Sequence, residues 1–234
     1  TSPLQDVRSF EAMNVFSKWS RKVHDVERIP EYIAMAFRNA LSGTPGPVYL
    51  EIPVDIVHLK ADDSKVYWPE LYRTEAQPWG DPELIEKAAD MLINAKRPAM
   101  AIGEIARYSA KYAKEVEELA NHLKMPTCAF FTARGLFADE SKNELFRLGT
   151  GGLSKADVIL ELGTLRDSRM TKGHPPTFAD CPRIMVFPES NMVGYNGRAD
   201  VGIVAGISEA AKQILEAVKR KMPKPRVDDE WVEA

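Results

Sequence analysis

Residues 157–169 read "DVILELGTLRDSR", an apolar run closed by Gly163 and followed at once by charged residues. A run of this length ended by glycine reads as a buried strand passing into a loop, since strands of a parallel sheet covered on both faces lose the in-out alternation of half-exposed ones. The same pattern recurs on either side as "AMAIG" at 99–103, "TCAFF" from 127, "RIMVF" from 183 and "DVGIV" from 200. Helical periodicity fills the gaps. Asp81 is placed to cap, and Pro82 to open, a helix whose Leu84, Ile85, Ala88, Met91 and Leu92 share a face. A second helix turns Tyr112, Val116, Leu119 and Leu123 inward. A third, from about Ser208 to Met222, carries Ile207, Ala211, Ile214, Leu215 and Val218 on one side. Strands separated by helices predict an α/β, Rossmann-like domain over 81–222, with a mostly parallel sheet covered by helices.

Upstream, residues 42–55 read "SGTPGPVYLEIPVD". Gly43 suits the end of a helix, Pro45 and Pro47 forbid its resumption, and Val48, Leu50 and Ile52 alternate in a short strand that Pro53 ends. The preceding helix has Val26, Ile29, Ile33, Phe37 and Ala40 as an apolar stripe. Residues 1–58 therefore read as a helix-strand remnant of another α/β domain. Residues 59–80, charged and proline-rich with scattered aromatics, read as a linker, in which Trp68, Tyr72 and Trp79 pin the chain to a surface. Residues 223–234 read as a second linker. The chain starts without methionine inside what looks like a connecting segment, so a fragment is expected.

At 234 residues and 44% hydrophobic content, the chain can fill a substantial core. Thirty-one basic residues against 34 acidic ones, without a basic block, argue against a nucleic-acid partner. Cys128 and Cys181 form no CxxC pair and have no histidines at zinc spacing, so neither a disulfide framework nor a metal site is expected. No apolar run approaches the ~20 residues that span a bilayer. A cytoplasmic protein without membrane attachment is the expectation. His24, His58, His122 and His174 are isolated, and Cys128 reads as buried and inert.

A nucleotide site asks for glycines after strands, where backbone amides approach phosphate, and for arginines that pair with it. Gly103 with Arg107, Arg134 with Gly135, Gly151 within the "GTGG" of 149–152, and Gly163, Thr164, Arg166, Asp167 and Arg169 after the third strand all meet that pattern. Each glycine is equally well explained as a plain turn, and each arginine as a solvated loop residue, so both readings stand.

The order of elements and the wording of three segments resemble the thiamine-diphosphate-dependent enzymes of the acetolactate synthase group. "SGTPGPVYLEIPVD" is similar to the signature closing their pyrimidine-binding domain, residues 4–40 to the segment before it, and "ADVILELGTLRDSR" to a motif of their central domain. The resemblance covers nearly the whole chain. It implies a parent enzyme that uses thiamine diphosphate and Mg²⁺ for carboligation or decarboxylation of 2-keto acids, joined to N- and C-terminal domains absent here and assembled as a homo-oligomer. A coenzyme-A-dependent lyase or decarboxylase is the alternative, and a free-standing nucleotide-binding or oligomerisation module a third reading. In that family the glutamate that activates the cofactor lies earlier than Thr1, and the "GDG...N" motif for diphosphate and magnesium lies in the C-terminal domain. The chain alone is therefore expected to bind no thiamine diphosphate and to be non-catalytic. Relatives of the central domain hold FAD, ADP or coenzyme A, or nothing. Two departures weigh against FAD: "GEIARY" puts Glu104 where pyrophosphate would lie, and "FPESN" leaves Glu189 as the ribose acceptor. The short run from Gly149 to Asp157 also leaves no room for a helix the family places there.

Overall fold

The computed structural model describes residues 7–136, 151–227 and 230–233, the side chains of 109–113 and 232–233 apart. The chain divides into two compact units between Ala76 and Gln77.

In the first unit, α1 (Ser9–Phe16) leads to β1 (Trp19–Lys22), α2 (Ile29–Leu41), β2 (Val48–Glu51) and the single turn α3 (Val54–Val57). The two strands pair in parallel, Trp19 opposite Val48 and Lys22 opposite Glu51. Gly43 takes φ +56°, the left-handed conformation that lets α2 turn, and the Gly46 amide returns to the Ala40 carbonyl at 3.0 Å. Lys18 closes the corner through Nζ, which donates to the carbonyls of Ser42 and Thr44. The apolar stripe of α2 is less buried than its periodicity implies: Ala34 and Ala36 are buried, but Ile33 and Phe37 remain 42% and 54% exposed. Trp68, Pro69 and Tyr72 lie along it, Tyr72 edge-on to Phe37 with ring centroids 5.8 Å apart, and together they bound a groove of about 490 Å³.

The second unit is built on five parallel strands in the order β4-β3-β5-β6-β7, where β3 is Pro98–Ile102, β4 Thr127–Ala129, β5 Val158–Leu162, β6 Arg183–Phe187 and β7 Val201–Val204. Every residue of these strands except Gly202 and Val204 of β7 is buried, as continuous apolar strands require. One face is covered by helices α4 (Pro82–Asn94), α5 (Ala113–Leu123) and α7 (Ile207–Lys221), which bury Ile85, Leu92, Val116, Leu119, Leu123, Ile214 and Val218 against Met100, Ile102, Leu160 and Leu162. The other face, carrying Ala99, Ala101 and Ile159, is covered instead by the single turn α6 (Gly151–Ser154), by Met170, Phe178 and Cys181 from the segment before β6, and by Trp231 of α8 (Glu230–Glu233). Of the connection between β4 and β5, the described residues contribute the 3₁₀ turn Phe131–Ala133 and α6.

Asp81 accepts hydrogen bonds from the amides of Glu83 and Leu84 at 2.9 and 3.3 Å, and so caps α4. Asp81→Ala is expected to lower the stability of this unit by about 1 kcal/mol, read as a lower urea midpoint with an unchanged slope. Both supposed linkers are bound at their inner ends. Gly80 exchanges hydrogen bonds with the Gln213 side chain, and Gly206 donates to Pro78 O. In the tail, Arg226 donates to the carbonyls of Leu92, Ile93 and Ala95 at the C-terminal end of α4, where a cation satisfies orphan carbonyls and the helix dipole, and Trp231 donates to Pro98 O at 2.8 Å. The tail therefore packs on the domain instead of departing from it directly at residue 223. No helix among the described residues is long and apolar enough to cross a membrane.

Candidate functional site

The chain leaves β3 toward β4 on one side, while β5 continues to β6 on the other, so the connections diverge beyond the carboxyl ends of β3 and β5. Such a switch point opens a crevice there. Its floor is backbone: the Gly103 amide donates to Leu162 O at 2.9 Å, and Ile105 N reaches Gly163 O at 3.4 Å. A Cβ on Gly103 would stand 2.7 Å from the Gly163 carbonyl carbon, and closer still to its oxygen and to Thr164 Cα. Gly163 itself has φ +63°. These two glycines let the loops meet, a role consistent with the plain structural reading.

Above that floor stand Glu104, Phe131, Asp167 and Arg169. Glu104 is 16% exposed at its side chain; Oε1 lies 3.6 Å from Arg169 Nη2, and Oε2 is buried without a hydrogen-bond partner. Arg169 donates from Nε to Asp167 Oδ2 at 2.8 Å and from Nη2 to the same oxygen, while its guanidinium lies 3.8 Å above the centre of the Phe131 ring. Stacking and ion pairing together orient this exposed arginine. The hydrogen bond from Arg169 holds the Asp167 carboxyl below the usual carboxylate range, and Asp167 also accepts from the Arg169 amide at 2.9 Å. Phe131 reaches its place at φ +50°, a conformation an aromatic residue rarely adopts.

Thr164 and Arg166 go elsewhere. Glu161, the penultimate residue of β5 and fully buried, accepts from Arg166 Nε at 2.6 Å and Thr164 Oγ1 at 2.8 Å through Oε2, and from Arg166 Nη2 at 3.0 Å and Arg183 Nη1 at 2.6 Å through Oε1. Arg166, 1% exposed and at φ +49°, also donates to Arg198 O, and Asn196 Nδ2 donates to Arg166 O. Arg183 donates from Nη2 to the carbonyls of Gly173 and Ala179. Arg166 is therefore no solvated loop arginine: its guanidinium is directed into the protein by a carboxylate that cannot stay buried unpaired.

Of the other expected site residues, Arg107 is exposed in the 3₁₀ segment after β3, and Arg134 and Gly135 are exposed after β4, Gly135 at φ +86°. Glu189 is half-buried just beyond β6. Gly151 opens α6, ahead of β5, rather than a loop that follows a strand; Gly149 and Thr150 lie outside the described residues. Tyr112 belongs to the segment whose side chains are not described. Sequence reasoning missed Phe131 and Glu161. The signal for Glu161 was present, as a charge inside "VILEL", because a carboxylate in a doubly covered strand must have cationic partners. His122 is a buried structural residue, its Nε2 2.8 Å from Met222 O.

Among the described residues, no group of three or more His, Cys, Asp or Glu side chains is arranged to hold a metal ion. They therefore present no carboxylate or imidazole set for the magnesium of a thiamine diphosphate.

Residues 85–214 match the model of the thiamine pyrophosphate enzyme central domain. Over 97% of its length the chain is 27% identical to mouse 2-hydroxyacyl-CoA lyase 1, of which the match covers 39%. It is 27% identical to the probable acetolactate synthase large subunit of Methanocaldococcus jannaschii over 90% of this chain and 38% of that one. It is also 30% identical to 2-hydroxyacyl-CoA lyase of Arabidopsis thaliana over 74% and 31% respectively. The chain thus spans about two fifths of the length of the curated relatives it matches along most of its own. With its all-parallel sheet and the glycine-floored switch point, this chain belongs to the thiamine pyrophosphate enzymes and contains their central domain.

Proposed function

We propose that this chain is the central part of a thiamine-diphosphate-dependent enzyme that makes or breaks a carbon–carbon bond beside a carbonyl, and that its switch-point crevice holds an adenosine diphosphate moiety. The whole enzyme acts on 2-keto acids, as an acetolactate synthase does, or on a 2-hydroxyacyl-CoA, as the lyases do; both kinds of relative align along most of the chain. Thiamine diphosphate and Mg²⁺ are then held by parts of the enzyme outside this chain, which by itself is non-catalytic. Those parts are its N- and C-terminal domains, and the enzyme is a homo-oligomer.

One observation carries the nucleotide reading: Glu104 presents a buried carboxylate oxygen without a partner at the crevice. A ribose hydroxyl is a donor of the right kind for it, and a carboxylate in this role is how α/β nucleotide sites select ribose. Gly103 and Gly163 let the two loops meet and so form the floor of the crevice. Arg169, held over Phe131, supplies the cation for phosphate; Arg107, Arg134, Gly135 and Glu189 follow β3, β4 and β6 at the same end of the parallel sheet and are further candidates for the moiety. The moiety is common to FAD and coenzyme A; because "GEIARY" and "FPESN" depart from the pattern of the flavin-binding relatives, coenzyme A or ADP is the preferred occupant.

Thermal melting of the chain with ADP, coenzyme A, FAD or adenosine tests this. ADP and coenzyme A are expected to stabilise it by about 2.7 kcal/mol at a hundredfold excess over Kd, and adenosine by much less. A stabilising FAD that gives a bound flavin spectrum would reverse the preference. No stabilisation by any of them would leave the domain as a structural spacer.

A further inference from the structure

Between the segment that follows Arg166 and the loop at Gly197 lies a cavity of about 290 Å³. Arg166, Gly173, Cys181 and Arg183 form its buried part, Pro175 and Ala179 its apolar walls, and His174, Asp180 and Arg198 its exposed rim. It belongs to the second face of the sheet and is distinct from the switch-point crevice. We propose that this cavity is a binding site for a small monoanion of carboxylate size.

Charge is the first argument. Two buried guanidiniums, Arg166 and Arg183, share the single carboxylate of Glu161, so the cluster carries one positive charge in excess. Glu161 has no capacity left to offset it, since each of its oxygens already accepts two hydrogen bonds. Asp200 is engaged with the Arg198 guanidinium and the Arg183 amide, and Asp180 sits on the exposed rim, where water screens it. An uncompensated buried charge is unfavourable, and an anion entering the cavity would offset it.

Donor accounting is the second argument. Arg183 spends Nη1 on Glu161 and Nη2 on the carbonyls of Gly173 and Ala179, while its Nε–H is buried without a partner in a residue only 5% exposed. Cys181 does not compete as an anion, because burial pushes its thiol up. A carboxylate brings one negative charge, acceptors for that donor, and a short apolar tail for Pro175 and Ala179. A dianionic phosphate would reverse the sign of the cluster, and a nucleotide exceeds the cavity.

The test is acetate added to the full chain at constant ionic strength, followed through the Arg Nε–H resonances. The Arg183 signal is identified as the one lost in Arg183→Lys. It is expected to move saturably with acetate. Cys181→Met, which fills the cavity beside Arg183, is expected to weaken acetate at least about tenfold while leaving stabilisation by ADP unchanged. The proposal is overturned if the Arg183 signal does not respond to acetate, if Cys181→Met binds acetate as the wild type does, or if inorganic phosphate binds more tightly than acetate. Because ADP is read separately, failure here and failure of the nucleotide reading are distinguishable.

Discussion

Glu161→Ala is expected to destabilise the central domain by about 3–5 kcal/mol, the cost of removing one partner from a buried ion cluster. The magnitude follows from what remains: Arg166 and Arg183 would be left inside the protein with no carboxylate between them, and Thr164 Oγ1 would lose its acceptor. Glu161→Gln keeps the shape and an acceptor but removes the charge, so it should fall between the wild type and Glu161→Ala. Replacing all three charged residues together, as Glu161→Leu, Arg166→Met and Arg183→Leu, should recover most of the loss, since well-packed apolar groups avoid the desolvation that the cluster must offset. Urea denaturation followed by circular dichroism measures each step. A loss of less than about 1 kcal/mol for Glu161→Ala, the range of exposed pairs, would mean that water reaches the cluster and that it does not hold the loop after β5.

Gly103→Ala is the second large effect. The added Cβ meets backbone, not a movable side-chain tip: the Gly163 carbonyl and Thr164 Cα lie well inside contact distance. The two central strands must separate at the crevice, at a cost at the upper end of the about 1–3 kcal/mol typical of overpacking. The same variant should abolish stabilisation by ADP, because the crevice floor moves. Gly151→Ala is the matched control, with nothing within 4 Å of its Cβ and a helical position that favours alanine. If both variants melt alike, the glycine contact at the switch point is looser than the geometry implies.

The strands were legible in the sequence because burial on both faces writes itself as unbroken apolar runs, and α4 because Asp81 and Pro82 mark its start. The stripe of α2 shows where periodicity stops being informative: it says that Ile33 and Phe37 share a face, not that anything described covers them. The candidate site was half legible. Gly103, Gly163, Asp167 and Arg169 follow strands and meet at the crevice, but Arg166 follows the same strand and turns inward, because the loop takes φ +49° there and Glu161 is waiting five residues back. Proximity in sequence could not separate Arg166 from Arg169. Phe131 gave no signal, since an aromatic residue after an apolar strand reads as core. Glu104 was legible only as an obstacle to phosphate; its unpartnered oxygen is a property of the fold.

The measurement that tests the account most directly is the affinity of ADP for the wild-type chain and for Glu104→Gln, by isothermal titration. A charge-assisted hydrogen bond from ribose to Glu104 is expected to make the variant about tenfold weaker or more, the equivalent of the ~1.5–3 kcal/mol such bonds contribute. Equal affinity, or tighter binding by Glu104→Gln, would contradict the account, the latter by showing that the carboxylate faces phosphate rather than ribose.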